Sequence, residues 1–327
     1  MTILLEFSRQ SLSRSPPVFL SPRPQRIASY MVDRWCHFEM AQEHPWRYTA
    51  PELGEDLTTG FDPSAQGPFF NVSDDNLQLK YVMDALAKVN YSPERNKVQF
   101  VSYRENLKRI LATAYQEKHA WEIMATRIYN VIYLDVVNGF QRLGYEDESI
   151  LSYTGFRYQV VSREPAPNTI PPPLESQSTF FSLFNLRLGQ HKIILASDID
   201  CWNGNKEHIK LHTAFFQTSP DEFLKRKSLR YWILSALIGA STIMLGFRSG
   251  DNVLRKVEEI KTKELLVDAQ RAKAWSRDVC LAFADKLLSA LQKNVEEGKI
   301  YRISYDPRTK GEIHIEEDHA CAHRFNF

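Results

Sequence analysis

The chain is short of net charge and of cysteine, and it has no uninterrupted apolar run long enough to span a membrane. Each shortage removes a class of function. Lysine plus arginine number 41 against 40 acidic residues, a formal net charge of +1 over 327 residues. That balance excludes a strongly cationic nucleic-acid coat and leaves room only for a local basic groove. The four cysteines, Cys36, Cys201, Cys280 and Cys321, are widely scattered and none pair at CxxC spacing. Neither a disulfide framework nor a structural zinc site is indicated, and a reducing compartment, cytosol or nucleus, is the simpler reading. The N-terminal apolar run Ile3-Leu4-Leu5 is stopped by Glu6, which does not read as a signal peptide. Residues 231–247 carry no charge but are short for a membrane span, with Gly239 in the middle. They read as a helix, a turn near Gly239 and a buried strand, with no membrane partner. There is no internal repeat.

What is present is an alternation of helical and extended patterns. Residues 1–26, rich in Ser, Pro and Arg from Ser11 onward, read as a flexible N-terminal arm, and 27–327 as one domain. Apolar residues at helical spacing predict a helix over 77–89. Two more helical stretches are expected over 103–115 and 120–133, the second turning into strand near Val131. Residues 162–178 hold Pro165, Pro167, Pro171, Pro172 and Pro173 and read as an extended surface loop. Residues 192–202 and 207–215 alternate as strands about the turn Asn203-Gly204-Asn205. Ser219 is the expected N-cap of a helix with Pro220 at its first position. A strand over 254–261, a long helix over 262–295 and a terminal hairpin over 300–317 follow. The expected class is α/β (mixed): a mixed β-sheet core flanked by helices, as a single domain.

The segments Tyr103-Arg104, Gly155-Phe156-Arg157-Tyr158-Gln159, Asp198-Ile199-Asp200-Cys201, Ile209-Lys210-Leu211-His212, Tyr231-Trp232 and Leu245-Gly246-Phe247-Arg248 follow one another in an order and spacing that resembles the DXO decapping nucleases. Those enzymes process RNAs with defective or noncanonical 5′ ends. The resemblance runs from about Pro24 to the end. It implies a DXO-like core and a site in which carboxylates hold Mg²⁺ or Mn²⁺, and the metals activate water and neutralise the phosphate. The family pattern is an arginine, then Gly-x-x-x-Glu, Glu-x-Asp and Glu-x-Lys. Arg104 and Asp200 match it. Asp198 is a shortened match. Gln159 and Lys210 stand where glutamates belong, and His212 where the lysine belongs.

These departures leave two carboxylates, Asp198 and Asp200, beside two cations. An ammonium about 4 Å from a carboxylate gains about 4 kcal/mol at an effective dielectric of about 20, so Lys210 is expected in the place of a metal. The expectations that follow are no catalytic residue, no metal and no cofactor, in a protein that is not an enzyme. Its resemblance to an insect germline branch of the family implies that it binds nascent RNA or its 5′ end and protects piRNA precursor transcripts from splicing, termination and decay. That resemblance further implies a nuclear, chromatin-bound location with the partners Rhino and Deadlock. The alternatives are an active metal-dependent decapping nuclease and a scaffold without RNA binding. Three other patterns are weighed against plain structural roles. Glu259-Ile260-Lys261 is a literal Glu-x-Lys, but in the wrong order for the family. His208 and His212 have the spacing of a helical zinc pair, but on a strand. Asp318, His319, Cys321 and His323 form a metal-like tail.

Overall fold

The fold, taken from a computed structural model, is described for residues 2–33, 35–61, 79–115, 119–136, 147–167, 178–309, 312–319 and 325. Among these residues the strands run β1 Thr2–Leu5, β2 Gln25–Val32, β3 Phe38–Met40, β4 Trp46–Tyr48, β5 Phe100–Tyr103, β6 Trp121–Ile128, β7 Val131–Val136, β8 Arg163–Pro165, β9 Thr179–Leu188, β10 His191–Asp198, β11 Cys201–Trp202, β12 His208–Phe215, β13 Thr242–Arg248, β14 Leu254–Lys261, β15 Ile300–Tyr305 and β16 Ile313–Glu317. The helices are α1 Arg9–Ser13, α2 Leu79–Lys88, α3 Arg104–Ala112, α4 Asp147–Val161, α5 Pro220–Arg226, α6 Ser228–Ala236, α7 Thr262–Arg271 and α8 Arg277–Asn294.

Two mixed sheets result. The first has ten strands in the order β1-β16-β15-β6-β7-β5-β10-β9-β2-β3, and the second has six in the order β14-β13-β12-β11-β4-β8. The interior strands β9 and β10 bury apolar residues on both faces over most of their length, as strands covered on both sides do. Leu186, Leu188, Ile193 and Leu195 enter the large core beneath α8, while Leu183, Ile194 and Ala196 enter a second core with Leu79, Val82 and Leu86 of α2. Helix α8 contributes Leu281, Phe283, Leu287, Leu288 and Leu291, all fully buried, each stabilising by about 1.5–3 kcal/mol. The chain leaves the first sheet at Asp198 and enters the second at Cys201, so residues 198–201 cross between the sheets.

The mixed α/β single-domain class agrees with the sequence reading, but four local expectations need correction. Residues 121–128 are a strand, not a helix. Tyr129 and Asn130 both have positive φ (49° and 63°) and close a two-residue hairpin onto β7. The expected arm is partly built in: Leu4 of β1 pairs with His314 of β16, and Leu12 and Leu20 are buried. The long C-terminal helix breaks into α7 and α8 around Lys273, whose φ is 51°. Within the proline-rich stretch, Arg163–Pro165 forms the edge strand β8, where a proline's missing N–H costs nothing. Residues 168–177 of that stretch lie outside the described residues.

Candidate functional site

The crossing between the sheets gathers the site. Strand β5 runs parallel to β10 with Tyr103 opposite Ala196, so Arg104 at the start of α3 arrives beside Asp198 at the end of β10. Strand β11 pairs with β12, Cys201 opposite Ile209, which sets Lys210 against Asp200. Helix α4 supplies Gln159. That helix lies close because Gly246 has no Cβ: one built there would meet the Tyr158 ring at 2.6 Å. Tyr158 is fully buried and donates its hydroxyl to the Met244 carbonyl oxygen at 3.3 Å.

Lys210, 2% exposed, places Nζ 2.8 Å from Asp200 Oδ2 and 3.6 Å from Asp198 Oδ2. Asp200 also accepts the Leu211 backbone N–H at 2.8 Å and the Gln159 amide at 3.5 Å. Arg104 clamps Asp198, donating to Oδ1 at 2.5 Å and to its backbone carbonyl at 3.2 Å. Burial works to raise the Asp198 carboxyl, but the charges of Arg104 and Lys210 and the Arg104 hydrogen bond outweigh it and hold the group well below the usual carboxylate range. About a third of the Asp198 side chain remains exposed, so this carboxylate forms the mouth of the site.

His212 shares the Lys210 face of β12, two residues on. Its ring stacks on Tyr231 of α6 at 4.2 Å with planes 7° apart, and Tyr231 donates its hydroxyl to the Thr213 carbonyl oxygen. Burial first, then the charges of Lys210, Arg230 and Arg104, push His212 well below its ordinary value and keep it neutral. Its Nε2 is buried without a partner.

Sequence reasoning missed Arg163. It lies four residues after Gln159, donates from Nε to the Gln159 carbonyl oxygen at 2.8 Å, and packs its guanidinium 5.3 Å over the Trp46 ring. Its Nη1 is 3.5 Å from the Asp200 carbonyl oxygen. The signal was the i, i+4 offset. With Arg163 counted, three cations face two carboxylates.

The other candidates stay apart. Glu259 and Lys261 pair with each other on the exposed edge strand β14. His208 packs its ring edge-on against Phe184, four residues from His212 along a strand and therefore about 13 Å away. Asp318 pairs with Arg302 at 2.7 Å, while Cys321 and His323 lie outside the described residues.

Residues 22–326 match the family described as RAI1 like PD-(D/E)XK nuclease. Relatives similar over most of their length include the decapping nuclease RAI1 of Gibberella zeae, 24% identical over 93% of this chain and 89% of the relative. The decapping and exoribonuclease protein of Homo sapiens is 22% identical over 94% and 86%. Among solved structures, a mutant S. pombe Rai1 in complex with 3′-FADP has a TM-score of 0.79 at 20% identity, covering 97% of this chain and 99% of that one. Candida albicans Rai1 in complex with pU5-Mn²⁺ has a TM-score of 0.75 at 17% identity, covering 97% and 93%. These likenesses overturn the expectation of a non-enzyme that only binds and protects transcripts. The matched family is a nuclease family, and the relatives are named decapping nucleases.

The divalent metal that the family implies does not fit the residues as they stand here. An ammonium within 2.8 Å of one carboxylate and 3.6 Å of the other occupies the space between them. Gln159 adds a neutral amide, and among the described residues no three His, Cys, Asp or Glu side chains gather to hold a metal ion.

Proposed function

Because the chain belongs to the RAI1-like PD-(D/E)XK nuclease family, we propose that it hydrolyses phosphate linkages at RNA 5′ ends, as decapping nucleases do. The observation that carries this reading is the convergence of Asp198, Asp200 and Lys210 where the chain crosses between the two sheets. Asp198 and Asp200 are acids at positions where the family pattern has acids, while Lys210 stands at a glutamate position and His212 at the lysine's. The three cations Arg104, Arg163 and Lys210 exceed the two carboxylates, which suits a pocket that receives a phosphate group. The mouth at Asp198 is where such a group would enter. Arg104 and Lys210 would transfer part of their hydrogen bonding from Asp198 to phosphate oxygens, and Gln159 would orient the phosphate through its amide. Lys210 and Arg104 pair with the two aspartates where the family's metal would be held, so a divalent ion there would have to displace the Lys210 ammonium.

The test is turnover of 5′-triphosphorylated and capped RNA, with Mn²⁺ and with a chelator. Product formation that disappears in Asp200→Asn supports the reading. No product at stoichiometric enzyme under either condition refutes it.

The departures Gln159, Lys210 and His212 support a finer reading, a resemblance to the family member Cutoff. With it come a nuclear location and association with Rhino and Deadlock. Co-purification of both from cells expressing the tagged chain tests this, and their absence from the purified material contradicts it.

A further inference from the structure

At the opposite end of β10 from Asp198, an open depression of about 500 Å³ is lined by Arg23, Lys97, Arg187 and Lys192 with neutral polar side chains and no carboxylate. In a chain with a net charge of only +1, four cations without an acid among them is a marked local imbalance. None of the four forms an ion pair among the described residues. Two are held in place by neutral acceptors that leave their charge intact. Lys192 donates from Nζ to the Asn96 carbonyl oxygen at 2.8 Å. Arg187 donates from Nε to the Gly189 carbonyl oxygen at 3.3 Å and from Nη2 to Gln190 at 3.4 Å.

The chain segment that carries Ser21 also carries an exposed aromatic residue, and it runs antiparallel to Arg187–Gly189 through the hydrogen bonds Ser21 N–H to Arg187 O and Gly189 N–H to Phe19 O. Leu20 bridges Leu188 and turns its side chain into the core, so its neighbours Phe19 and Ser21 point outward together. Ser21 lines the depression, and Phe19 is 55% exposed. Cations beside an exposed ring suit single-stranded nucleic acid, phosphates on the charges and a base on the ring. An acidic protein segment would use the charges but have no need of the ring.

We propose that this groove is a second RNA-binding surface, which holds single-stranded RNA through Arg23, Lys97, Arg187 and Lys192 with one base stacked on Phe19. The choice of RNA as the ligand rests on the 5′-end reading above. Lys192 and Asp198 lie on the same face of β10, about 20 Å apart at the rise of a strand. The groove therefore grips a different stretch of the strand from the one whose end reaches Asp198.

The test is fluorescence anisotropy in a chelator with a 3′-labelled oligouridine of about 15 nucleotides, in 5′-phosphate and 5′-hydroxyl forms. Arg187→Glu/Lys192→Glu should weaken both forms at least about tenfold and reduce the slope of log affinity against log salt by about 1.4, from about 0.7 per phosphate contact. Phe19→Ala should weaken binding at least about fivefold and leave the slope unchanged. Lys225→Glu/Lys256→Glu, on exposed residues elsewhere, should change neither. The proposal is overturned if the groove variant binds like the unaltered chain, if the control pair loses as much, or if polyglutamate of equal charge displaces the RNA as well as unlabelled oligouridine does. Failure of the 5′-end reading looks different: no turnover and equal affinity for the two 5′ forms, with the groove variant still impaired.

Discussion

At its C-terminal end, strand β10 delivers Asp198 into a cluster where Arg104, Lys210 and Asp200 neutralise one another within 3.6 Å. At its N-terminal end, Lys192 joins three other cations, and of the four only Lys192 and Arg187 are held among the described residues, by carbonyl and amide oxygens. One strand thus ends in a buried, internally compensated site and begins in an open, uncompensated one. The difference follows from solvent. Lys210 is 2% exposed, and an unpaired charge there would cost several kcal/mol, so it must be paired. Arg23, Lys97 and Arg187 are exposed, and water supports them until a polyanion arrives.

The sharpest way to break this contrast is to remove one lysine from each end. Lys210→Ala leaves Asp200 buried without its partner and should cost about 3–5 kcal/mol, read by urea denaturation. Lys192→Ala should stay within about 0.5 kcal/mol. Similar losses at the two ends would erase the distinction.

Acid probes the compensated half next. Burial first holds His44 down at about 3 and His208 at about 4, and it pushes His212 well below its ordinary value. Each is lower folded than unfolded, so the unfolded chain binds the extra protons and stability falls as pH drops through 6.5. Between pH 7 and pH 5 each contributes a loss of about 2 kcal/mol or less. His212→Phe, which keeps the stack on Tyr231, should remove its share of that slope, and an unchanged slope would count against a neutral buried His212. Asp198 has the usual carboxylate sign. Its contribution is present above about pH 4 and is lost as pH falls toward its depressed folded value. A smaller effect is expected from Tyr231→Phe, which deletes the hydrogen bond to Thr213 for about 1 kcal/mol and should leave RNA binding at the basic end untouched. Smallest of all, Glu259→Ala breaks an exposed pair on β14 and should change stability by less than about 0.5 kcal/mol, with no effect on turnover.

Much of this was legible in the sequence where a local signal and a tertiary need agreed. Ser219 does accept the Glu222 N–H as the N-cap of α5, with Pro220 behind it. The Asn203-Gly204-Asn205 turn does return β11 onto β12, and that register sets Lys210 against Asp200. Strand β6 was missed because Ile123, Met124 and Ala125 are all buried, so no alternation remained, and its turn uses Tyr129 and Asn130 rather than glycine. The break at Lys273 likewise carries no glycine or proline. Of the compensated site, Arg163 was hidden by a stretch that read as loop. The basic groove was hidden because its members come from three distant segments, around Arg23, Lys97 and Arg187, in a chain whose charges balance overall.

The central claim is that Lys210 takes the place of a metal between Asp198 and Asp200. The most direct measurement is the melting temperature of the unaltered chain and of Lys210→Glu, each in a chelator and in Mn²⁺. The unaltered chain should melt at the same temperature in both. Lys210→Glu should be destabilised in the chelator and recover by about 5 °C when Mn²⁺ reaches about a hundred times its Kd. A rise of that size in the unaltered chain, with none in the variant, would contradict the account.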